Sequence, residues 1–597
     1  MEQVTIGLSG HIDHGKTSIV KALTGKNTDN LKDEISRGMT IDIGFAHFSN
    51  KISLIDVPGH EKFIRNMVAG VCSIDYALLV IAADDGIMPQ TIEHFEILKL
   101  LNLNSGIIVI NKIDLVDKEW LDLVELEIEE LVKDTFLSDA KIIKVSTITL
   151  DGIELLKKEV INISNNKVAK FDRGIFRMFI DRVFTKKGFG TVVTGTVLSG
   201  EASKGQQIEI LPILENTNIR GTHSHDNTVE KLCIGDRGAV NLQSIDRINI
   251  KRGYHISDKG YFSLVSNAAV KINVLKELKN NQRVRIHLGT QEVMARLLFI
   301  ENSFDNDMLA FLKFESKIIA SFKDKFIIRT YSPITTIGGG EILDVNIFGK
   351  WHQIKNYIVK FENKSSDLDF IKEIIQADPL KVYTKNDLAK HLGISIDKLI
   401  TIINKSDKIL FIDDTHCWIL TYDQKNNIQE RIFNIIDIYH KNNSFKKGML
   451  LEQINESLYL HEKLLKIFLL NLIDEKIIKF ENDYYSIFSF AIKLSTDDIR
   501  IKNELLNILD TEKYETSGLS ELSNHLNEKE NKIKKILKIL DDDLVVINGN
   551  IFFTKNNYNK LLDKIDKHFQ IRETLNIAEF KNITNSSRKY VVPLLEF

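Results

Sequence analysis

Three successive patterns of apolar and polar positions run along the chain, and each predicts its own architecture. Up to about residue 172, short apolar runs end in polar, glycine-bearing loops. The stretches 76–83 and 106–110 are continuously apolar and strand-length, as strands buried on both faces require. From Arg173 the pattern turns to period two with glycine turns, over 176–184, 188–197 and 205–211, then over 282–290, 325–331 and 338–344. That spacing predicts two small antiparallel barrels. After about residue 366 helical periodicity takes over, for example in 462–472.

In this last third a motif recurs: Asp407-Lys408-Ile409, Glu475-Lys476-Ile477, then Asp543-Leu544-Val545. The interval from Ile409 to Ile477 is 68 residues, and so is that from Ile477 to Val545. Each copy reads as amphipathic helices followed by a β-hairpin, closed by Trp418-Ile419-Leu420, Tyr485-Ser486-Ile487-Phe488 and Ile551-Phe552-Phe553-Thr554. Helices and a hairpin at this length suggest winged-helix modules. A fourth copy reads helix, turn, helix over 576–590, with Ser587, Arg588 and Lys589 opening the second helix. Hydroxyls and basic groups there suit phosphates and an extruded RNA base. The expected fold class is therefore a multidomain chain: an α/β P-loop domain (1–172), two β-barrel domains (173–257 and 258–350), then tandem winged-helix (α+β) modules. The modules are expected at 351–422, 423–490, 491–555 and 556–597, the last without a wing hairpin before Phe597.

Composition narrows the partners. A chain of 597 residues exceeds one core, and 79 basic against 82 acidic residues give net −3. Any nucleic-acid surface must then be a local patch. Cys72, Cys233 and Cys417 are far apart and show no ligand spacing, which suits a reducing cytosol. There is no signal peptide and no apolar run long enough to cross a bilayer, so a cytoplasmic protein without a membrane partner is expected. His223-Ser224-His225 puts two imidazoles on one strand face, but no third ligand stands nearby for a metal.

The amino-terminal loops carry the chemistry. A short apolar strand runs into Gly10-His11-Ile12-Asp13-His14-Gly15-Lys16-Thr17, the phosphate-binding loop, and a helical run from Ser18 to Thr24 follows. Backbone N–H groups of such a loop curl around a β-phosphate, Lys16 adds a point charge, and the Thr17 hydroxyl can ligate Mg²⁺. Asp56-Val57-Pro58-Gly59 ends a second strand; Asp56 can hold the Mg²⁺ shell and the Gly59 N–H can meet a γ-phosphate. Asn111-Lys112-Ile113-Asp114 ends another, where Asp114 can accept from the N1 and exocyclic amine of guanine. Such a site rejects adenine because its polar groups would be left unpaired. Ser146 and Thr147 are placed to back the base. The polar stretch 27–40 has little core to bury, so ligand contact must order it, with Thr40 the candidate to reach Mg²⁺. The nucleotide expected is GTP.

Gly-His-x-Asp-His-Gly-Lys-Thr, Arg37-Gly38-Met39-Thr40-Ile41 and Asp56-Val57-Pro58-Gly59-His60-Glu61-Lys62-Phe63 resemble the translational GTPases, close to elongation factor Tu. The resemblance implies that His60 positions the attacking water when the ribosome moves it, with Ile12 and Met39 as the apolar gate. The run Phe179-Ile180-Asp181-Arg182-Val183-Phe184, Gly235-Asp236-Arg237-Gly238 and the closing Gly338-Gly339-Gly340-Glu341-Ile342-Leu343-Asp344 are similar to the selenocysteine-specific elongation factors. That likeness puts Asp181, Arg182 and Arg237 around an aminoacyl pocket with Phe45 beside them, where related factors can have tyrosine. It implies GTP/GDP with Mg²⁺, selenocysteinyl-tRNA, an mRNA hairpin (the SECIS element) and the ribosome as partners of a monomer. Two other readings stay open at this level: a general aminoacyl- or initiator-tRNA carrier with an interaction tail, and a GTP-switched winged-helix regulator that binds DNA.

Overall fold

The computed structural model describes residues 3–28, 43–49, 51–59, 74–101, 103, 105–165, 170–186, 188, 190–224, 227–300, 307–413, 415–443, 446–491, 494–540 and 543–597. These fall into two compact units, 1–422 and 423–597.

The first unit begins with an α/β layer. Its elements are Val4–Ser9 (β1), Lys16–Thr24 (α1), Gly44–Ser49 (β2), Ile52–Asp56 (β3), Tyr76–Ala82 (β4), Pro89–Leu100 (α2), Gly106–Asn111 (β5), Lys118–Val132 (α3), Ile142–Lys144 (β6) and Ile153–Asn165 (α4). The strands line up as β2-β3-β1-β4-β5-β6, parallel except for β2, which runs against β3. β4 and β5 are buried along their whole length because helices cover both faces. On one face α1 and α4 pack Ile19, Val20, Leu156 and Val160 against Ile6, Leu8 and Leu78. On the other, α2 and α3 pack Phe95, Val124 and Ile128 against Leu79, Ile81 and Ile108. In such a sheet the loops at the carboxyl ends of the strands form the ligand crevice, and β1, β3 and β5 all deliver motif residues there.

Next come two barrels. Arg177–Phe179 (β7), Arg182–Lys186 (β8), Gly190–Ser199 (β9), Glu201–Ser203 (β10), Gln207–Leu211 (β11), Glu215–Ser224 (β12), Asn227–Val229 (β13), Lys231–Cys233 (β14), Arg237–Leu242 (β15) and His255–Asp258 (β16) make the first. Its staves close in the order β11-β16-β7-β9-β15-β12 and back to β11, around Met178, Val193, Ile208, Ile219 and Val240. The alternating run 176–184 is two strands here, not one. The Ile180 N–H donates to the Tyr254 carbonyl, and the next N–H, of Asp181, donates to Thr194. The chain therefore changes partner between β7 and β8. The second barrel is Leu264–Val274 (β17), Gln282–Leu288 (β18), Gln291–Phe299 (β19), Asp307–Ile319 (β20), Lys325–Thr330 (β21) and Thr336–Val345 (β22), closed as β17-β20-β19-β18-β21-β22.

Helices Trp351–Val359, Asp367–Gln376, Lys385–Leu392 and Ile396–Ile403 then pack on the outside of the second barrel, sharing a core with Ala269, Phe311 and Leu343. A hairpin, Ile409–Ile412 with Trp418–Thr421, completes this module. Where the first barrel, the second barrel and this module meet, Asp324 is buried and accepts from two guanidiniums. Arg173 reaches it at 2.7 Å and Arg177 at 2.6 and 2.9 Å, while Arg173 also donates to the Phe322 and Gly393 carbonyls. Burial pulls the Arg173 guanidinium down to about 10.

The second unit repeats the plan. Helices Tyr422–Asn442, Leu451–Asn455 and Glu462–Asp474 precede the hairpin Ile478–Glu481 with Tyr484–Ile487. Helices Thr496–Glu512, Leu519–Leu526 and Glu530–Ile539 precede Leu544–Ile547 with Ile551–Thr554. Three helices and a wing hairpin at the 68-residue interval are the winged-helix plan the repeat predicts. The chain ends in Lys555–Phe569, Ile577–Thr584 and Arg588–Glu596, whose Leu561, Phe580 and Val591 share a core with Tyr514 and Phe553.

Candidate functional site

The phosphate loop joins β1 to α1. Gly15 caps α1 with φ 87°, a left-handed conformation, and a Cβ there would sit 2.2 Å from the Asn111 amide nitrogen. Both facts demand glycine. Lys16 is buried, and its ammonium donates to the carbonyls of Gly10 at 3.0 Å and His11 at 2.6 Å, which bend the loop around it. The Thr17 hydroxyl donates to the Asp56 carboxylate at 2.6 Å. The Thr28 hydroxyl donates to the same oxygen at 2.8 Å, a contact that sequence reading did not anticipate. Gly59 lies against the loop so closely that a Cβ would stand 2.6 Å from the Lys16 nitrogen. Asp13 has φ 61° and faces solvent, as does Ser18.

The Asn111–Asp114 segment, expected to read guanine, is tied to this loop directly. Asn111, at the end of β5, donates its side-chain amide to the His14 carbonyl at 3.0 Å. Lys112 follows with φ 61° and pairs with Asp84 at 3.0 Å. The reversal leaves Asp114 exposed on the short turn Ile113–Leu115 at the crevice. Ser146 and Thr147 lie just after β6, and the buried Ser146 hydroxyl accepts the N–H groups of Ile148 and Thr149 at 3.2 and 3.1 Å. The base and phosphate elements, remote in sequence, thus share one crevice. His60, Thr40 and Met39 lie outside the described residues.

Two further histidines border the loop. His14 is buried, its Nδ1 3.3 Å from the Val80 carbonyl, and burial together with Lys16 pulls its ring down to about 4. His94, on α2, is wholly buried and pulled down to about 3 by the same two causes. Its Nδ1 accepts the Gly10 N–H at 3.1 Å. Sequence reading missed His94, because a lone histidine within a helix carries no signal of what it faces.

The residues expected around an aminoacyl pocket also come together. Arg237 on β15 makes a two-pronged pair with Asp181, between β7 and β8, and Asp181 also accepts the Thr194 hydroxyl at 2.6 Å. The Arg237 guanidinium lies 3.5 Å from the centre of the Phe45 ring on β2. Arg182 donates to the Ile43 carbonyl at 3.2 Å with its side chain exposed. The cluster therefore holds two guanidiniums and one carboxylate, and one of the guanidiniums is committed to that carboxylate. Among the described residues no group of histidines, cysteines and carboxylates could hold a metal ion, and His225 lies outside them. No helix among them is long and apolar enough to cross a membrane.

At the carboxyl end Ser587 caps Arg588–Glu596, with Arg588 and Lys589 exposed on its first turn. The Ser587 N–H donates to Glu515, which holds that carboxyl below its ordinary range.

Three family models match the chain: the elongation factor Tu GTP-binding domain over 1–166, the β-barrel domain of selenocysteine-specific elongation factor over 265–347, and the winged helix of elongation factor SelB over 567–597. The selenocysteine-specific elongation factor of Desulfomicrobium baculatum is 29% identical, over 100% of this chain and 97% of its own length. That of Methanocaldococcus jannaschii is 34% identical, over 60% of this chain and 83% of its own. A crystal structure of a bacterial selenocysteine-specific elongation factor superposes with a TM-score of 0.71 at 27% identity, covering 100% of this chain and 97% of that one. Elongation factor SelB of Methanococcus maripaludis, solved with the GTP analogue GppNHp, gives 0.52 at 30% identity over 59% of this chain and 81% of that one. The chain belongs to the selenocysteine-specific elongation factors and is a translational GTPase.

Proposed function

We propose that this chain carries selenocysteinyl-tRNA to ribosomes paused at a UGA codon marked by an mRNA hairpin, and hydrolyses GTP there when the ribosome brings His60 to its water. The observation that carries the proposal is the cluster of Phe45, Asp181, Arg182 and Arg237 at the meeting of the GTP-binding domain and the first barrel. A selenol is ionised at neutral pH, whereas a serine hydroxyl on the same tRNA is not. Arg182 and Arg237 bring guanidinium N–H donors to the place where the selenolate would sit. A hydrogen bond to a charged group contributes about 1.5–3 kcal/mol, and a neutral hydroxyl forgoes most of that. Asp181 also fixes the Arg237 fork, so its planar face stays on Phe45.

The oxygen donors of Thr17 and Asp56 suit a hard cation, and with Thr40 they would hold Mg²⁺ beside the phosphates. That ion supplies charge neutralisation at the β- and γ-oxygens. Lys16 balances phosphate charge, Gly59 and the loop N–H groups aim at the phosphate oxygens, and Asp114 selects guanine. His60 orients the attacking water in that electrostatic setting. Ser587, Arg588 and Lys589 meet the mRNA hairpin.

A reconstituted translation assay tests the proposal. UGA decoding with selenocysteine should require this chain, GTP and the hairpin. Decoding that proceeds equally on mRNA without the hairpin contradicts the assignment of the last module. Replacing Arg588 and Lys589 with alanine should weaken hairpin binding and shrink its salt slope by about one unit per lost phosphate contact.

A further inference from the structure

Helix α2 makes polar contacts in two directions. Toward the phosphate loop, His94 accepts the Gly10 N–H at 3.1 Å, and the Gln90 side-chain carbonyl accepts the Ile12 N–H at 3.4 Å. Toward the second barrel, Glu93 accepts the Thr336 hydroxyl at 2.9 Å and lies 3.6 Å from the Arg329 guanidinium. Apolar contacts reinforce the second direction. Ile97, Leu98 and Leu100 share a core with Ile327 of β21, and Lys325 bonds the Leu101 carbonyl. Gly339 of β22 comes so near that a Cβ would stand 3.1 Å from the Leu100 Cβ.

Adjacent residues of one helix thus hold the phosphate loop and a barrel that supplies none of the nucleotide motifs. The imidazole has no room to move, since His94 is wholly buried. Because its Nδ1 accepts, the neutral ring must carry its proton on Nε2, and protonation of Nδ1 would break the bond to Gly10. Burial holds the ring neutral throughout the working pH range. An anion-binding loop works by the aim of its N–H groups, so whatever orients the Gly10 and Ile12 peptides bears on phosphate affinity.

We propose that α2 is a strut through which the second barrel sets the phosphate loop, with His94 as the positioning residue and the Glu93–Thr336 bond as its anchor. Displacing the barrel then loosens the bound nucleotide without any contact to it. Nucleotide residence becomes a readout of how the barrels are held, and the barrels are where a cargo-binding event is felt.

Stopped-flow dissociation of N-methylanthraniloyl-GDP from the full chain tests this. His94→Leu should speed dissociation roughly three- to tenfold, the effect of one lost hydrogen bond, with association unchanged. His94→Asn, whose amide oxygen can accept near the Nδ1 position, should stay within about twofold of the original. Thr336→Val and Glu93→Ala, far from the nucleotide, should each speed dissociation about threefold, and Thr336→Val should add nothing to His94→Leu. Should His94→Leu fail to fold, the two remote variants carry the test. Original rates in both remote variants, or His94→Asn as fast as His94→Leu, overturn the proposal.

Discussion

The Arg237 guanidinium stacks on the Phe45 ring at 3.5 Å, so a strand of the GTP-binding domain and a strand of the first barrel meet through one cation. The same guanidinium makes a two-pronged pair with Asp181. A half-buried contact of this kind contributes about 0.5–2 kcal/mol. The proposed cargo pocket would then lie across a domain boundary, where the state of the nucleotide can reach it.

Arg182→Ala should lower the preference for selenocysteinyl- over seryl-tRNA by about 1.5–3 kcal/mol, roughly ten- to a hundredfold in relative affinity. Arg237→Ala should do more, because it also leaves Asp181 as a bare carboxylate facing the selenolate. Protection of the aminoacyl ester from hydrolysis reads both, and an unchanged preference in Arg182→Ala removes that residue from the pocket.

Asp324 is the centre of a buried charge network that pins both barrels to the first carboxyl-terminal module. Asp324→Asn would strand two buried guanidiniums, so the first unfolding transition in urea should lose about 3–5 kcal/mol. A loss below about 1 kcal/mol would show that water, not Asp324, satisfies those arginines.

Stability should fall in mild acid. The rings of His14 and His94 titrate at about 4 and about 3, below the ordinary 6.5, chiefly because of burial. Above 6.5 both are neutral folded and unfolded, and their contribution is complete. As pH falls below 6.5 the unfolded chain takes up protons that the folded chain refuses. Each ring then costs about 1.4 kcal/mol per pH unit, down to about 4 for His14 and about 3 for His94. Melting curves from pH 7 to 4.5 should show a shallower decline in His94→Asn; parallel declines contradict burial as the cause.

His60→Ala should bind GTP as tightly as the original chain yet lose ribosome-stimulated hydrolysis by about two orders of magnitude or more. Single-turnover hydrolysis on programmed ribosomes measures it, and an undiminished stimulated rate refutes the role given to His60.

The positions of the Gly10–Thr17 and Asn111–Asp114 motifs were legible because each is a fixed spacing at the end of an apolar strand, and the strand tells where the loop must point. The barrels were legible from period-two alternation, and the modules from their interval. Periodicity could not reveal the break at Ile180 and Asp181, since side chains keep alternating while the backbone changes partner. Nor could spacing pair Arg237 with Asp181, 56 residues away, or Arg173 with Asp324, 151 residues away. Those pairs exist only after the barrels close. His94 was invisible for a related reason: its partner is a backbone N–H, which leaves no trace in a sequence.

The most direct test of the account is the affinity of the GTP-loaded chain for selenocysteinyl-tRNA against seryl-tRNA, with the tRNA body held identical. The guanidinium donors of the Phe45–Asp181–Arg182–Arg237 cluster predict binding of the selenocysteinyl form tighter by at least about tenfold, with the preference shrinking as pH drops and the selenol is protonated. Equal affinity for the two, or a preference indifferent to pH, would contradict it.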